Sequence, residues 1–166
     1  MTDDLKHNRE RLGYRLGQIA RLWRAEVDRR LSPHGLTEAR WRLLLTLHKA
    51  DAPMRQKELA DLVGVQGPTL VRTLDWLETE QLVERRSING DKRCKTIHLT
   101  PGAKPSLERI KAVVESVRED IFDGIEPNDI DICLSVIDRL ASKLSATGNP
   151  VQTPATEPDR RTETTE

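Results

Sequence analysis

Residues 56–80 read QKELADLVGVQGPTLVRTLDWLETE, and the two halves of this stretch decide the fold. Leu59, Leu62 and Val63 give the first half the inner face of a short helix, and Ala60 is small enough to allow close helix contact. Gly64 stands where a helix C-cap needs a positive φ. Pro68 lacks an N–H and is tolerated only in a first helical turn, which places the start of the next helix near Gln66 or Gly67. Within that helix Leu70, Leu74 and Leu77 face inward, while Thr69, Arg72, Thr73 and Trp76 form the opposite stripe. Two helices joined by a short Gly-containing turn, the second presenting polar and cationic residues, make a helix-turn-helix pattern.

Downstream the period changes. Asn89-Gly90, a strong hairpin signal, separates two short runs within residues 82–100, and the second alternates polar residues with Ile97 and Leu99. Arg85, Arg86, Asp91, Lys92, Arg93 and Lys95 cluster there. A basic β-hairpin directly after a helix-turn-helix is the pattern of a winged helix.

Upstream, Leu5, Leu12, Leu16, Ile19, Trp23, Val27 and Leu31 trace one narrow apolar stripe on a long helix whose other faces carry Arg9, Arg11, Arg15, Arg21 and Arg24. Such a helix usually packs on another helix, often from a second chain. Ser32-Pro33-His34-Gly35 ends it. Leu36–Lys49 follows with Thr37 as N-cap, and its near-continuous Leu43, Leu44, Leu45 and Leu47 predict a helix buried between layers. After the hairpin, Leu107, Ile110, Val113, Val114, Val117 and Ile121 stripe one helix. Ile130, Leu134, Ile137, Leu140 and Leu144 stripe another, with Pro127 in its first turn.

The expected organisation is mainly α: residues 1–33 a dimerisation helix, 34–100 a winged helix-turn-helix, and 101–145 further dimerisation helices. Residues 146–166, rich in Thr, Pro and Glu, read as a disordered polar tail. The chain has 166 residues, 36% hydrophobic and 33% charged, a lean globular composition without a run long enough to span a bilayer. Its acidic opening, Met1-Thr2-Asp3-Asp4, is no signal peptide. The expectation is therefore a cytoplasmic, nucleoid-associated bacterial protein with no membrane partner.

Net charge is zero, which taken as a sum argues against a nucleic-acid partner. Its distribution does not. Residues 5–31 hold eight Lys or Arg against three acids, and residues 82–100 hold five against two. Fields decay over roughly 10 Å at moderate salt, so a concentrated basic face can bind a polyanion in a neutral chain. Ordinary solvated charged faces would give the same counts, and charge alone favours that reading.

The order of elements and the wording of LTEARWRLLLTLH (36–48), QKELADLVGVQGPTLVRTLDWLE (56–78) and DKRCKTIHLT (91–100) resemble the MarR family of bacterial transcription regulators. Within that family the likeness is to the SlyA subgroup, from about Leu12 to Leu144. The resemblance implies a homodimer with a winged helix in each subunit and interleaved first and last helices. It also implies that Asp91 and Arg93 are wing residues, the Arg reaching a minor groove and the Asp steadying it. Arg72 falls at the arginine of the helix that reads the major groove.

On that fold, Arg72 can contact guanine O6 and N7 bidentately. Thr69 and Thr73 can touch thymine methyls or phosphates, and Gln66 and Pro68 sit where free backbone N–H groups favour a phosphate. Arg93 would favour narrow A·T tracts, and Arg85, Arg86, Lys92 and Lys95 would hold phosphates without reading sequence. Two-fold symmetry implies a near-palindromic double-stranded site. The blander alternatives are that Arg72 pairs with Asp75 or Trp76 along its own helix, and that Asp91 and Arg93 merely tie the hairpin turn. Trp76 is expected to cover the wing.

Many MarR-like proteins release DNA when a small aromatic acid or its thioester binds between the dimer layer and the winged helix. Arg15, Trp23, His34, Trp41 and His48 are the candidates for stacking and carboxylate pairing, although Trp and His on apolar helix faces are more often core. A redox alternative rests on Cys94 between Arg93 and Lys95, whose charges would lower a thiol pKa. Cys133, among apolar positions, is expected to be packed. A winged helix that binds protein rather than DNA is a further alternative. His7, His34, His48 and His98 are scattered over separate elements, so no catalytic constellation, metal site or cofactor is expected. The reading is a DNA-binding regulator, a repressor in preference to an activator, and not an enzyme.

Overall fold

The protein is described from a computed structural model covering residues 2–50, 52–88 and 91–146. The side chains of residues 2–5, 88 and 91–94 lie outside that description. Six α-helices are described: α1 (Thr2–Leu31), α2 (Glu38–Lys49), α3 (Gln56–Val63), α4 (Gly67–Thr79), α5 (Lys104–Phe122) and α6 (Pro127–Ala146). Three strands accompany them: β1 (Met54–Arg55), β2 (Val83–Ile88) and β3 (Asp91–Leu99). This is the mainly helical winged-helix architecture that the helix and hairpin signals predict.

The helix ends follow the local chemistry. Thr37 is the N-cap of α2 in extended conformation, and its carbonyl accepts from the N–H groups of Arg40 and Trp41. The carboxylate of Glu58 reaches back to the Arg55 backbone N–H at 2.8 Å and closes the first turn of α3. Gly64 ends α3 with φ of 69°, a conformation that costs an L side chain steric strain. Gln66 is the N-cap of α4, with Pro68 in the first turn as its fixed φ requires.

The sheet is antiparallel in the order β1-β3-β2. β2 pairs with β3 from Val83↔Leu99 to Ser87↔Lys95, and the register slips between Ser87 and Ile88. β1 adds only Met54↔Ile97 and Arg55↔Thr96. A two-residue strand is too short to show alternation, so no periodic signal marks it. Ile97, fully buried, is paired on both sides, opposite Met54 and Arg85. The turn at Asn89-Gly90 lies outside the described residues.

Helices α1–α5 and the sheet form one compact unit, ending at Phe122. Its core takes Val27 and Leu31 from α1, Trp41, Leu43, Leu44 and Leu47 from α2, Leu59 and Val63 from α3, and Leu70, Leu74 and Leu77 from α4. The sheet adds Val83 and Ile97, and α5 adds Leu107, Ile110 and Val117. Each fully buried Leu contributes on the order of 2 kcal/mol before conformational entropy is counted. The expected sandwiching of α2 between layers is what the core contains. The end of α1 and three residues of α5 share this core with the winged helix.

Arg30 fastens α1 to α5. Its guanidinium donates to Glu26 at 2.7 Å, to Ser116 at 3.0 Å and to Asp120 at 2.6 Å. Glu26 also accepts from Arg29 at 2.8 and 2.7 Å. These bonds, from Arg29 first and then Arg30, hold the Glu26 carboxyl down at about 2. Towards its N-terminus the stripe of α1 is uncovered in the single chain: Leu12 and Ile19 are exposed, and Leu16 and Trp23 are half-buried.

The second unit begins at Asp123 and contains α6. No residue of α6 is buried, and Ile132, Leu134, Val136, Ile137 and Leu140 are all exposed in the single chain. Cys133 is exposed as well in the single chain, against the expectation that it would be packed. The helix reaches Ala146, the first residue assigned to the polar tail; the remainder of that tail, 147–166, lies outside the described residues.

Candidate nucleic-acid interface

The outer surface of α4 is built by its own sequence. Leu70, Leu74 and Leu77 draw one face into the core and so turn Gln66, Gly67, Pro68, Thr69, Val71 and Arg72 outward, all six exposed. No side chain caps the start of α4; the N–H groups of Thr69 and Leu70 donate to the Gln66 carbonyl, both at 3.0 Å, and Pro68 has none, so no side chain stands over the N–H of Gly67. Arg72 donates from Nε to the Pro68 carbonyl at a long 3.4 Å, within its own helix.

Thr73 departs from the expectation. It is 8% exposed and its hydroxyl donates to the Thr69 carbonyl at 2.8 Å. A threonine facing back along the helix cannot reach a groove. The two-sided stripe that placed it outward ignored that Thr73 stands three residues after Leu70 and four before Leu77, on the edge of their buried face. Trp76 is a second correction: it is half-buried, and the Arg40 guanidinium lies 3.6 Å over its ring, so it covers α2 and not the wing.

Arg85 is the third. Its side chain is 13% exposed and fully engaged: Nη1 donates to Glu78 at 2.6 Å and Nη2 to Asp75 at 2.7 Å, with Val71 O a further 3.5 Å contact. The Arg85 backbone N–H also donates to Glu78 at 3.2 Å. It is a link from β2 to α4 and not a free phosphate contact. The Asp75 carboxylate, the expected alternative partner of Arg72, pairs here with Arg85, while Arg72 donates to the Pro68 carbonyl.

Arg86 is exposed and paired with Glu84, with Nε donating at 2.8 Å. Lys95 is exposed. Asp91, Lys92, Arg93 and Cys94 belong to β3, but their side chains lie outside the described residues. The structure thus brings Gln66, Pro68, Thr69 and Arg72 onto one exposed surface. Val71, 39% exposed, belongs with them and was missed. The signal was available, since Val71 lies off the Leu70/Leu74/Leu77 stripe and next to Arg72.

The five candidate effector residues are dispersed. Arg15 is exposed and donates to Gln18 at 3.1 Å. Trp23 packs against the core edge-on to Phe122, ring centroids 5.6 Å apart. His34 and His48 are exposed at the ends of their helices. Burial first, then Lys111 and Lys49, hold the His48 imidazole below its ordinary pKa. Trp41 is in the core at 6% exposure, and its indole Nε1–H is buried without an acceptor. Only Trp23 and Trp41 therefore meet in one packed region. A cavity of about 200 Å³ is lined instead by Leu47, Ala50, Ala52, Pro53, Ile97, His98 and Leu99, which include none of the five.

Among the described residues no group of His, Cys, Asp and Glu is arranged to hold a metal, and no helix is long and apolar enough to cross a membrane. Residues 36–95 match the model of the MarR family. The structure of the transcriptional regulator PA3341 is 44% identical, the match covering 81% of this chain and 98% of that one with a TM-score of 0.74. Two more distant structures share the fold. Wild-type apo MarR from E. coli is 22% identical over 78% of this chain and 95% of its own, with a TM-score of 0.68. CouR from Rhodococcus jostii RHA1, bound to p-coumaroyl-CoA, is 22% identical over 86% of this chain and 94% of its own, with a TM-score of 0.63. With its helix-turn-helix, three-stranded wing and exposed α4 surface, this chain belongs to the MarR family of transcriptional regulators.

Proposed function

We propose that the chain is a homodimeric, SlyA-like repressor that docks α4 in the major groove of a near-palindromic operator and the wing in the adjacent minor groove. The observation that carries this reading is the exposed run Gln66–Arg72 broken only by the buried Leu70, with Arg72 outward and Asp75 occupied elsewhere. Arg72 supplies the base contact, while Thr69 and Val71 offer methyl groups to thymine. The uncapped N-terminus of α4 receives a phosphate beside Gln66 and Pro68. In the wing Arg93 enters the minor groove with Asp91 steadying it, and Arg86, Lys92 and Lys95 hold phosphates. The exposed apolar residues of α1 and α6 support the dimer, since uncovered apolar faces of this extent mark an interface. The place of action is the bacterial cytoplasm.

The test is selection from a randomised duplex library by the wild-type protein. Enrichment of an inverted repeat with half-sites about one helical turn apart supports the reading. Weak, steeply salt-dependent binding without enrichment counts against it.

A second part of the reading is a small aromatic acid or thioester effector. It is supported by the buried Trp41 N–H that lacks an acceptor, a group that costs about 1–3 kcal/mol unless something accepts from it. CouR holds such a thioester on the same fold. Titration of phenolic acids and acyl thioesters, followed by Trp fluorescence and by operator affinity, should quench the former and weaken the latter. No change in either across the panel removes the effector.

A further inference from the structure

We infer that Arg85 is a positioning residue that sets the wing against α4, and that Glu78 and Asp75 serve DNA binding although they add negative charge to the face that meets DNA. The inference rests on the DNA reading above. Its basis is the geometry of one side chain. Arg85 lies in β2, opposite Ile97 in the central strand, and its guanidinium leaves the sheet to bridge two carboxylates one turn apart on α4. Glu78 completes the link by accepting from both the Arg85 side chain and its backbone N–H. A guanidinium forks to two carboxylates with fixed directions, whereas an ammonium is a point charge that cannot hold both. The arm that would carry Arg93 and Lys95 starts from this anchored strand, so the angle of the wing relative to α4 is set here.

The alternative is that Arg85 binds phosphate, and the two readings predict opposite signs. A phosphate contact is satisfied by any cation, so Arg85→Lys would be nearly silent. Removing an acid from the face would strengthen binding, so Glu78→Gln would tighten it. Under the positioning reading both substitutions weaken specific binding by about tenfold or more. Arg85→Lys, which conserves charge, leaves binding to random-sequence duplex near wild type. Glu78→Gln, which removes a negative charge, tightens that binding slightly while still weakening the selected site. Neither lowers the slope of log affinity against log salt by the amount, about 1, that losing a phosphate contact does.

The experiment measures wild type, Arg85→Lys and Glu78→Gln by fluorescence anisotropy on the library-selected duplex and on random duplex, over a range of potassium chloride. Amide hydrogen exchange of the free proteins is recorded beside it. Loss of specific affinity with an unchanged slope, together with faster exchange in β2 and β3 and unchanged exchange in α2, supports the inference. Retained affinity in Arg85→Lys or tighter binding of the selected duplex in Glu78→Gln overturns it while leaving the DNA reading intact. Unchanged exchange in the strands overturns it without reference to DNA. Failure of wild type to select any sequence is the separate outcome that removes the DNA reading and this role with it. Glu78→Gln keeps its shape and hydrogen-bonding reach, so it remains informative if Arg85→Lys folds poorly.

Discussion

The guanidinium of Arg40 lies 3.6 Å over the ring of Trp76 and also donates to the Gly35 carbonyl at 2.7 Å. One side chain in the first turn of α2 therefore holds the turn before α2 and the outer half of α4. Trp76 is the residue that sequence expected over the wing, and here its ring takes the Arg40 stack. Arg40→Ala is expected to cost about 1–3 kcal/mol, from a partly desolvated cation–π contact and a charged hydrogen bond. Urea unfolding should show a lower midpoint with an unchanged slope. A midpoint equal to wild type would mean that the stack contributes nothing.

Glu26 sets a pH dependence. Its folded pKa of about 2 lies below the ordinary 4.5 because Arg29 and Arg30 donate to it. Between those values the unfolded chain takes up a proton that the folded one refuses, so the stabilisation is present above pH 4.5 and lost as pH falls towards 2. Thermal melts from pH 6 to pH 2 should fall less steeply for Glu26→Gln than for wild type. Parallel curves would place the ion pairs with the many surface pairs that contribute nothing measurable.

His48 titrates the other way. Burial, Lys111 and Lys49 all oppose its protonation, so acid costs stability below its ordinary pKa of 6.5. Proton NMR should find its imidazole titrating below 6.5, and Lys111→Ala should raise that value. A midpoint at or above 6.5 in wild type would contradict the packing of α5 beside the end of α2.

Gly102 follows the sheet where the chain returns under the turn from α4 to β2. A Cβ built there would stand 2.9 Å from the Gln81 carbonyl, which also accepts from the Thr100 hydroxyl. Gln81 is held at φ of 57°, so that turn has little freedom to yield. Gly102→Ala should lower stability by about 1–3 kcal/mol. Calorimetry showing an unchanged melting temperature would mean that the backbone gives way freely.

The fold was legible because its signals are local and repeated. The Leu70/Leu74/Leu77 stripe, Gly64, Pro68 and the alternation around Ile97 each name an element, and their order names the winged helix. The interface was legible only in part. Arg72 and Thr69 stand outward as helical spacing implies, but Thr73, Trp76 and Arg85 do not, because each answers to a partner distant in sequence or to the edge of a buried stripe. A basic residue in a wing reads as a phosphate contact until its carboxylate partners on α4 are seen. The effector candidates fail similarly: residue type suggested them, while shared placement in space, which periodicity does not encode, was needed to bring them together.

The central claim is that the exposed face of α4 reads DNA through Arg72. The most direct test is the affinity of wild type and Arg72→Ala for the selected duplex and for each single-base variant of it, at two salt concentrations. Loss of one base contact predicts weakening by about 1–3 kcal/mol on the selected duplex and loss of discrimination at one position in each half-site, with other positions still distinguished. Uniform weakening over every sequence, scaling with salt as for a lost phosphate contact, would contradict base reading by Arg72, and equal affinity would take Arg72 out of the interface altogether.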